Sequence, residues 1–278
     1  MKTYKLNNGV SIPAFGLGTF LMTENKTYET VLDALKLGYR HLDTAAYYFN
    51  EKEVGKAIKD SNIPREEIFV TTKIMKHHNG DKELIRQSIN KSLNELGLEY
   101  IDLLLIHWPN SDYKINQALW EVFEEFYEAK KLKSIGVSNF LIHHLNELLK
   151  TAKIKPAINQ VECHPLLPQI PLEKYLKEHN ILMSSYGPFA RGEVFKEPIF
   201  NELTLIANKY NITVAQLIIA WGLKRGLTMI PKTVHHERLK ENLLGSQIDI
   251  TLEDVLKINK LNKAKRLYSD PDNATYFA

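Results

Sequence analysis

Titratable side chains follow three short apolar runs in the first half of the chain. Asp43, Lys73 and His107 each come at the end of one run, and Tyr48 lies a few residues beyond Asp43. If these runs are neighbouring parallel strands of a barrel, their carboxyl ends meet at one face. Each residue alone has an ordinary interpretation, a solvated lysine or a hydrogen-bonded structural histidine. Together they form a titratable cluster of the kind found where perturbed pKa values serve catalysis.

The elements that would position this cluster are strand-sized apolar runs alternating with amphipathic stretches. The runs are Phe15–Leu17, Tyr39–Leu42, Ile68–Thr71, Ile101–Ile106, Ile135–Val137, Ala157–Asn159, Ile181–Ser184 and Leu227–Ile230. Apolar residues return at three- and four-residue steps, as in helices, in stretches such as Tyr28–Leu37, Lys82–Leu96, Asn116–Ala129, Leu141–Leu149 and Val214–Leu223. This alternation indicates a parallel sheet with crossover helices. Eight strands in 278 residues predict a single α/β domain over residues 1–278, a (β/α)8 TIM barrel.

Two local patterns complete the fold prediction. The segment Tyr4–Ile12 alternates polar and apolar residues about Asn8 and Gly9, which predicts an N-terminal β-hairpin. An open dinucleotide-binding sheet is the alternative to a barrel, and Gly16 and Gly18 have the spacing of its fingerprint. No third glycine follows, and the helical pattern starts only near Asn25. The fingerprint therefore does not open a helix, which favours the barrel.

Charge and cysteine content bound the partners and the compartment. The chain has 36 basic and 33 acidic residues without a long basic block, so we expect no nucleic-acid or anionic-membrane partner. Cys163 is the only cysteine, which fits a reducing compartment. The N-terminus lacks the apolar run of a secretory signal, and no stretch approaches the roughly 20 apolar residues of a membrane span. We expect a soluble cytoplasmic protein.

Six segments in order along the chain resemble the signatures of one enzyme family. They are Gly38–Glu51, Thr71–Lys73, Leu105–Pro109, Gly136–Phe140, Asn159–Pro165 and Ile230–Thr233. With them the chain resembles an aldo-keto reductase. Its length and lack of long insertions are similar to the short bacterial members near 2,5-diketo-gluconate reductases and broad-range aldehyde or methylglyoxal reductases. The resemblance implies a monomer acting on a small-molecule carbonyl substrate.

The resemblance implies hydride transfer from a nicotinamide to the carbonyl carbon while Tyr48 protonates the carbonyl oxygen. A free phenol has a pKa of about 10, so a nearby cation that lowers this value would help it act as an acid. Lys73 is the candidate cation, and Asp43 would pair with it because a partly buried ammonium without an anion is costly. His107, as a neutral imidazole or as a cation, would donate a hydrogen bond to the substrate oxygen.

Tyr47 competes with Tyr48 for the role of acid. The family's catalytic tyrosine lies two residues before an Asn-Glu pair, as Tyr48 does before Asn50 and Glu51. This register favours Tyr48 and leaves Tyr47 a packing role.

The resemblance also implies the residues that hold the nicotinamide. Ser138, Asn139 and Gln160 offer donors and acceptors for its carboxamide, and Tyr186 offers an aromatic face for its ring. The remaining contacts implied at this end are Asp43, Gly18 and Thr19, and the pyrophosphate loop Gly187, Pro188, Phe189, Arg191 and Gly192. Related chains usually carry Ser where this one has Gly187, so we expect a changed hydrogen-bond pattern there.

The segment Lys232-Thr233-Val234 leads from the last strand into a helix that begins near His235. Barrels commonly bind phosphate at this place, and a helix N-terminus attracts anions. Lys232 and Arg238 bring more positive charge than NADH requires, so NADPH is the predicted cofactor. Glu241 and Asn242 match the family's adenine contacts.

An aromatic wall is predicted around the substrate. Phe20 and Trp108 follow the first and fourth strands, and Phe49 adds to the wall. The tail Ser269–Ala278 is expected to fold over the barrel mouth as the family's C-terminal loop does.

Two other functions remain as alternatives. The first is a regulatory or sensing barrel that binds NADPH with little turnover, against which the intact Tyr48, Lys73 and His107 argue. The second is a metal-dependent barrel hydrolase. Its ligands would be His77, His78, His107 and His164, but no acidic ligands stand at a recognisable spacing near the first pair.

Overall fold

A computed structural model describes residues 2–75 and 79–274 and contains an eight-stranded parallel sheet curled into a barrel. The strands are β3 (Leu17–Gly18), β4 (His41–Asp43), β5 (Phe69–Ile74), β6 (Leu103–Ile106), β7 (Ile135–Ser138), β8 (Ile158–Glu162), β9 (Leu182–Tyr186) and β10 (Thr228–Ile230). Each pairs in parallel with the next one along the chain. The prediction of a (β/α)8 barrel is confirmed.

Backbone hydrogen bonds bring the first and last strands together. Gly16 N donates to Met229 O at 3.0 Å, and Met229 N donates to Ala14 O at 2.9 Å. Gly18 N extends the contact to Pro231 O at 3.0 Å. The barrel is therefore nearly closed, and the ends of all its strands face a common mouth.

Helices cover the outside of the barrel. They are α1 (Glu24–Leu37), α2 (Glu51–Asp60), α3 (Lys82–Leu96), α4 (Tyr113–Glu128), α5 (Ile142–Leu149), α6 (Ile170–Glu178), α7 (Ile199–Asn208), α8 (Val214–Lys224), α9 (His236–Gly245) and α10 (Leu252–Asn259). The five stretches singled out in the sequence are all helical. Their buried residues pack against the strands in one large core. No helix within the described ranges has both the length and the apolar character that a membrane span needs.

The N-terminal hairpin closes the bottom of the barrel. Strands β1 (Thr3–Lys5) and β2 (Ser11–Pro13) pair antiparallel, as predicted. The turn between them has Gly9 at φ +86°, a left-handed conformation that glycine adopts without steric cost. Leu6 and Ile12 form a separate apolar cluster with Phe69 and Leu103 from the barrel strands. The opposite end of the barrel is left for the polar cluster.

Candidate active site

A buried ion pair lies at the carboxyl end of β4 and β5. Lys73 Nζ is 2.5 Å from Asp43 Oδ1 and also donates to the carbonyl oxygen of Thr44 at 2.9 Å. The other carboxylate oxygen, Asp43 Oδ2, accepts a hydrogen bond from Gln160 Nε2 at 2.7 Å. The Lys73 side chain is only 1% exposed. Burial lowers the pKa of Lys73, while Asp43 acts to raise it and favours the ammonium form.

Tyr48 lies directly beside this pair. It ends a short 3₁₀ helix, Ala46–Tyr48, and its ring centre is 5.2 Å from Lys73 Nζ. The rings of His107 and Phe20 approach that of Tyr48 with centroid distances of 5.6 Å and 5.0 Å. The structure therefore brings together all four residues of the predicted catalytic cluster.

Tyr47 is placed differently. Its ring lies 5.7 Å from that of Phe49, and the residue is 37% exposed. This position agrees with the packing role expected for Tyr47.

The pKa of Tyr48 is raised in the folded chain, not lowered as expected from the nearby Lys73. Burial raises the pKa of Tyr48 well above 10, and the negative charge of Asp43 adds to the rise. Tyr48 is thus a protonated phenol at neutral pH. An alkoxide is a far stronger base than a phenolate, so such a phenol can still give it a proton. Lys73 would then act mainly on the phenolate left behind, since its charge lies close to the ring.

Two residues of the signature position Tyr48, although sequence reasoning assigned them no role. Asn50 accepts a hydrogen bond from Thr44 Oγ1 at 2.8 Å and donates to Thr19 O at 3.0 Å. Glu51 accepts from Thr72 Oγ1 at 2.5 Å, and Thr72 is the neighbour of Lys73 in β5. The segment that carries Tyr48 is thereby tied to the strand that carries Lys73.

His107 is a neutral imidazole in this environment. Burial lowers the pKa of His107 well below 6.5, and the charge of Lys73 lowers it further. This decides between the two forms left open by the sequence. Its backbone is held by Ile74, whose carbonyl oxygen accepts from His107 N at 2.9 Å, and by Asn139, whose Nδ2 donates to His107 O at 3.0 Å.

The side chains predicted to hold the nicotinamide form one connected network. Tyr186 OH donates to Asn139 Oδ1 at 2.8 Å, and Ser138 Oγ donates to Gln160 O at 2.8 Å. Gln160 in turn binds Asp43 through its Nε2. All four predicted residues therefore lie together beside the ion pair, and Ser138, Asn139 and Gln160 are buried.

The loop after β9 contains Gly187 at φ +59°. A Cβ atom at this position would lie 2.7 Å from Cε2 of Tyr268 and 2.9 Å from its hydroxyl oxygen. The guanidinium carbon of Arg191 lies 4.3 Å from the Tyr268 ring centre. Tyr268, which sequence reasoning missed, thus occupies the space beside the predicted pyrophosphate loop.

A groove of about 620 Å³ continues from this loop along the start of α9. Its predicted residues are Phe189, Gly192, Lys232, Thr233, Arg238, Glu241 and Asn242. Lys232 and Arg238 are exposed. Thr233 Oγ1 accepts from His235 N at 3.2 Å, just before the first turn of α9. Val234 instead packs against the hydrophobic core, so its side chain does not join the groove.

Residues 14–263 match the model of the aldo/keto reductase family. This match covers most of the chain and includes the strands of the barrel and the catalytic cluster described above. The chain belongs to the aldo/keto reductase family.

Named relatives and solved structures align with nearly the whole chain. Glyoxal reductase of Bacillus subtilis (strain 168) is 44% identical over 276 residues, which are 99% of this chain and 98% of that protein. Methylglyoxal reductase DkgA of Escherichia coli (strain K12) is 39% identical over 270 residues, 96% of each protein. The crystal structure of a Bombyx mori aldo-keto reductase in complex with NADP has a TM-score of 0.89 at 33% identity, covering 98% of this chain and 96% of that one.

Gly18 and Thr19, predicted cofactor contacts of this aldo/keto reductase, have internal partners. Gly18 N takes part in the barrel closure described above. Thr19 N and Oγ1 both donate to Asp43 O, at 3.0 Å and 3.1 Å. These hydrogen bonds hold the carboxyl end of β4, where Asp43 pairs with Lys73.

The predicted aromatic wall is partly assembled. Phe20 is 36% exposed and touches Tyr48, whereas Phe49 is 78% exposed and packs on Tyr47 instead. Trp108 is buried in a small cluster with Met75 and Ala274, so the C-terminal tail reaches the barrel mouth. The last part of the predicted tail, residues 275–278, lies outside the described residues.

A histidine pair holds this tail. His143 Nε2 lies 2.8 Å from Asp272 Oδ1, and His144 Nε2 lies 3.4 Å from the same oxygen. Leu141 N donates to His144 Nδ1 at 3.2 Å, so the ring proton of a neutral His144 is on Nε2 and faces Asp272. Burial lowers the pKa of His144 to about 4, which keeps the ring neutral at pH 7.

The metal-hydrolase hypothesis finds no support in this arrangement. Within residues 2–75 and 79–274, the only side chains whose ligand atoms lie close enough together to hold a metal ion are His143, His144 and Asp272. Metal binding through Nε2 of His144 would cost the hydrogen bond that Leu141 N donates to Nδ1. His164 is fully buried and lies 2.9 Å from Glu162 Oε1, away from that group. His77 and His78 lie outside the described residues.

Proposed function

We propose that this chain is an NADPH-dependent reductase of small aldehydes and ketones in which Tyr48 is the proton donor. The observation that carries the proposal is the buried Lys73–Asp43 pair, with Lys73 Nζ 5.2 Å from the Tyr48 ring centre. The similarity to a glyoxal reductase and a methylglyoxal reductase supports the reaction class.

The donor set of the groove fits the phosphates of NADPH. Lys232 and Arg238 place two exposed cations beside the start of α9, where the free N–H groups and the dipole of the helix also attract anions. NADH lacks the 2′-phosphate that such cations would bind. Phe189 lines the groove and lies three residues beyond Tyr186, which contacts Asn139 of the predicted nicotinamide site.

NADPH, when bound, supplies the hydride. The residues of the chain perform the proton chemistry: Tyr48 donates its phenolic proton to the carbonyl oxygen as negative charge develops there. The charge of Lys73 stabilises the resulting phenolate, and Asp43 keeps Lys73 charged and in place. Neutral His107 donates a hydrogen bond to the same substrate oxygen and orients the carbonyl.

The mouth of the barrel suits a small substrate. Phe20 offers an aromatic face beside Tyr48, and the tail held at Asp272 closes the side next to Trp108. Together with the named activities of the relatives, this favours α-dicarbonyls such as glyoxal and methylglyoxal.

A carbonyl panel tests the proposal. The rate of NADPH oxidation, and separately of NADH oxidation, is measured with glyoxal, methylglyoxal and simple aldehydes, with and without a chelator. We expect turnover that prefers NADPH and is unchanged by the chelator. Tight NADPH binding without oxidation of any panel member would refute the reductase and support the sensing barrel.

We further propose that the protein acts as a monomer in the cytoplasm. Cys163 is its only cysteine and is fully buried, so its structure needs no oxidising compartment. Sedimentation velocity tests the monomer, and cell fractionation tests the compartment.

A further inference from the structure

The predicted pyrophosphate loop has no side chain at Gly187, where the resemblance to the family implies a serine. A serine Cβ would collide with Tyr268, because the space it needs lies within 2.7 Å of Tyr268 Cε2. The ring and hydroxyl of Tyr268 therefore fill the place beside the loop from the other side.

Tyr268 is held there by a buried carboxylate. Glu162, fully buried at the end of β8, accepts hydrogen bonds from Leu267 N at 2.7 Å and Tyr268 N at 3.3 Å. Arg266 also pairs with Glu162, with Nη1 3.6 Å from Oε2. Three consecutive residues after α10 are thus fastened to the barrel at one point, which fixes the backbone that carries the tyrosine.

Two neighbours orient the Tyr268 side chain. Its ring meets that of Tyr186 edge-on, with centroids 5.1 Å apart and an interplanar angle of 89°. The guanidinium carbon of Arg191 lies 4.3 Å from the centre of the Tyr268 ring. A phenolic hydroxyl can donate its proton to an anion that this cation also attracts.

We propose that Tyr268 is a cofactor-binding residue that supplies the pyrophosphate-loop hydroxyl which Gly187 cannot. This proposal rests on the proposed function, in which NADPH lies along this loop. The hydroxyl donor then belongs to the C-terminal segment and not to the loop itself. The Tyr268 hydroxyl then donates to a phosphate oxygen beside the positive charge of Arg191, a pairing in which the anion strengthens both hydrogen bonds.

The test measures dissociation constants for two probes in purified full-length protein. NADPH contains the pyrophosphate, whereas adenosine 2′-monophosphate contains the 2′-phosphate but no pyrophosphate. Binding of both is followed by calorimetry or by quenching of tryptophan fluorescence. We expect Tyr268→Phe, which removes only the hydroxyl, to raise the NADPH Kd about tenfold, since hydrogen bonds to charged groups are the strong ones. The Kd for adenosine 2′-monophosphate should change less than twofold.

A second pair of variants tests whether a side chain at position 187 collides with Tyr268. Gly187→Ser should weaken NADPH binding because its Cβ meets Tyr268, and adding Tyr268→Ala should recover part of the loss. Any strain from the left-handed backbone is the same in both serine variants, so it cancels from their comparison.

The outcomes separate this inference from the proposed function. An unchanged NADPH Kd in Tyr268→Phe, while the wild type binds NADPH, overturns the inference and leaves the reductase standing. Equal weakening of both probes also overturns it, because it would indicate a general structural role. Failure of the wild type to bind NADPH would refute the proposed function itself.

Discussion

Replacing Asp43 by asparagine removes one charge from the buried ion pair and keeps its shape. The two carboxylate oxygens accept from two different donors, Lys73 Nζ at 2.5 Å and Gln160 Nε2 at 2.7 Å. An asparagine has one oxygen and one NH2 group in the same places. Either Lys73 faces a second donor or the Gln160 amide must turn to present its oxygen, and in both cases Lys73 loses its anion.

The stability cost follows from the burial of Lys73. Removing one partner of a buried pair costs about 3–5 kcal/mol, because the remaining charge is left uncompensated. For a protein of this size that corresponds to a fall in Tm of about 10 °C. Lys73 can escape part of the cost by losing its proton, so its pKa, already lowered by burial, falls further.

The direction in which the stability loss of Asp43→Asn changes with pH follows from the pKa of Lys73. An unfolded lysine keeps its proton up to about pH 10.4, whereas Lys73 in the folded variant releases it earlier. The loss in the variant's free energy of unfolding relative to wild type is therefore largest at neutral pH and shrinks as pH rises toward 10. Activity near neutral pH should fall about 100-fold, because a misplacement of about 1 Å at the reacting groups has an effect of this size.

Differential scanning fluorimetry from pH 7 to 10 and steady-state kinetics check these values. Asp249→Asn is the matched control, since Asp249 is 80% exposed and pairs with Lys224 at the surface. It should leave both Tm and kcat nearly unchanged. An Asp43→Asn variant as stable and active as this control would refute the role given to the ion pair.

Two further predictions concern the cofactor groove and acid stability. The double variant Lys232→Ala, Arg238→Ala should raise the Kd for NADPH at least tenfold, because it removes the two exposed cations of the groove that we propose bind the 2′-phosphate. The NADH Kd should change less than twofold, and equal losses for both cofactors would contradict the assignment. Burial lowers the pKa of His41 to about 4. The unfolded chain takes up a proton at this histidine near pH 6.5 that the folded chain takes up only near pH 4, so folding stability falls over that window. By pH 5 the loss from His41 is about 2 kcal/mol. Urea unfolding of the wild type and of His41→Gln at pH 7, 6 and 5 measures this contribution as the difference between their two falls, because His107 and His144 add to the total. An equally steep fall in His41→Gln would show that His41 does not contribute.

The sequence predicted the fold well because each strand and helix carries its own periodic signal. The eight apolar runs match the eight strands within a few residues, and the polar residues that follow them meet at the barrel mouth. The helices α2, α6, α7 and α10 were not among the stretches singled out. All four have only 8 to 10 residues, so few positions are available to show a helical repeat.

Contacts between distant segments were beyond the sequence. Tyr268 meets Gly187 only because Glu162 fastens the C-terminal segment beside β9, and no spacing rule connects these positions. The missing serine at Gly187 was the one signal that pointed to this place. The raised pKa of Tyr48 was likewise unpredictable, because it comes mainly from burial and only the folded chain sets the degree of burial.

The proton-donating role of Tyr48 is tested most directly by single-turnover NADPH oxidation at saturating glyoxal. Tyr48→Phe removes one hydroxyl, and Tyr47→Phe removes its neighbour's as the matched control. We expect Tyr48→Phe to slow the chemical step by a factor of about 10² to 10⁴, the usual range for a lost general acid, with an unchanged NADPH Kd. The control should retain its rate. A Tyr48→Phe rate within a few-fold of wild type would contradict the assignment of Tyr48 as the acid.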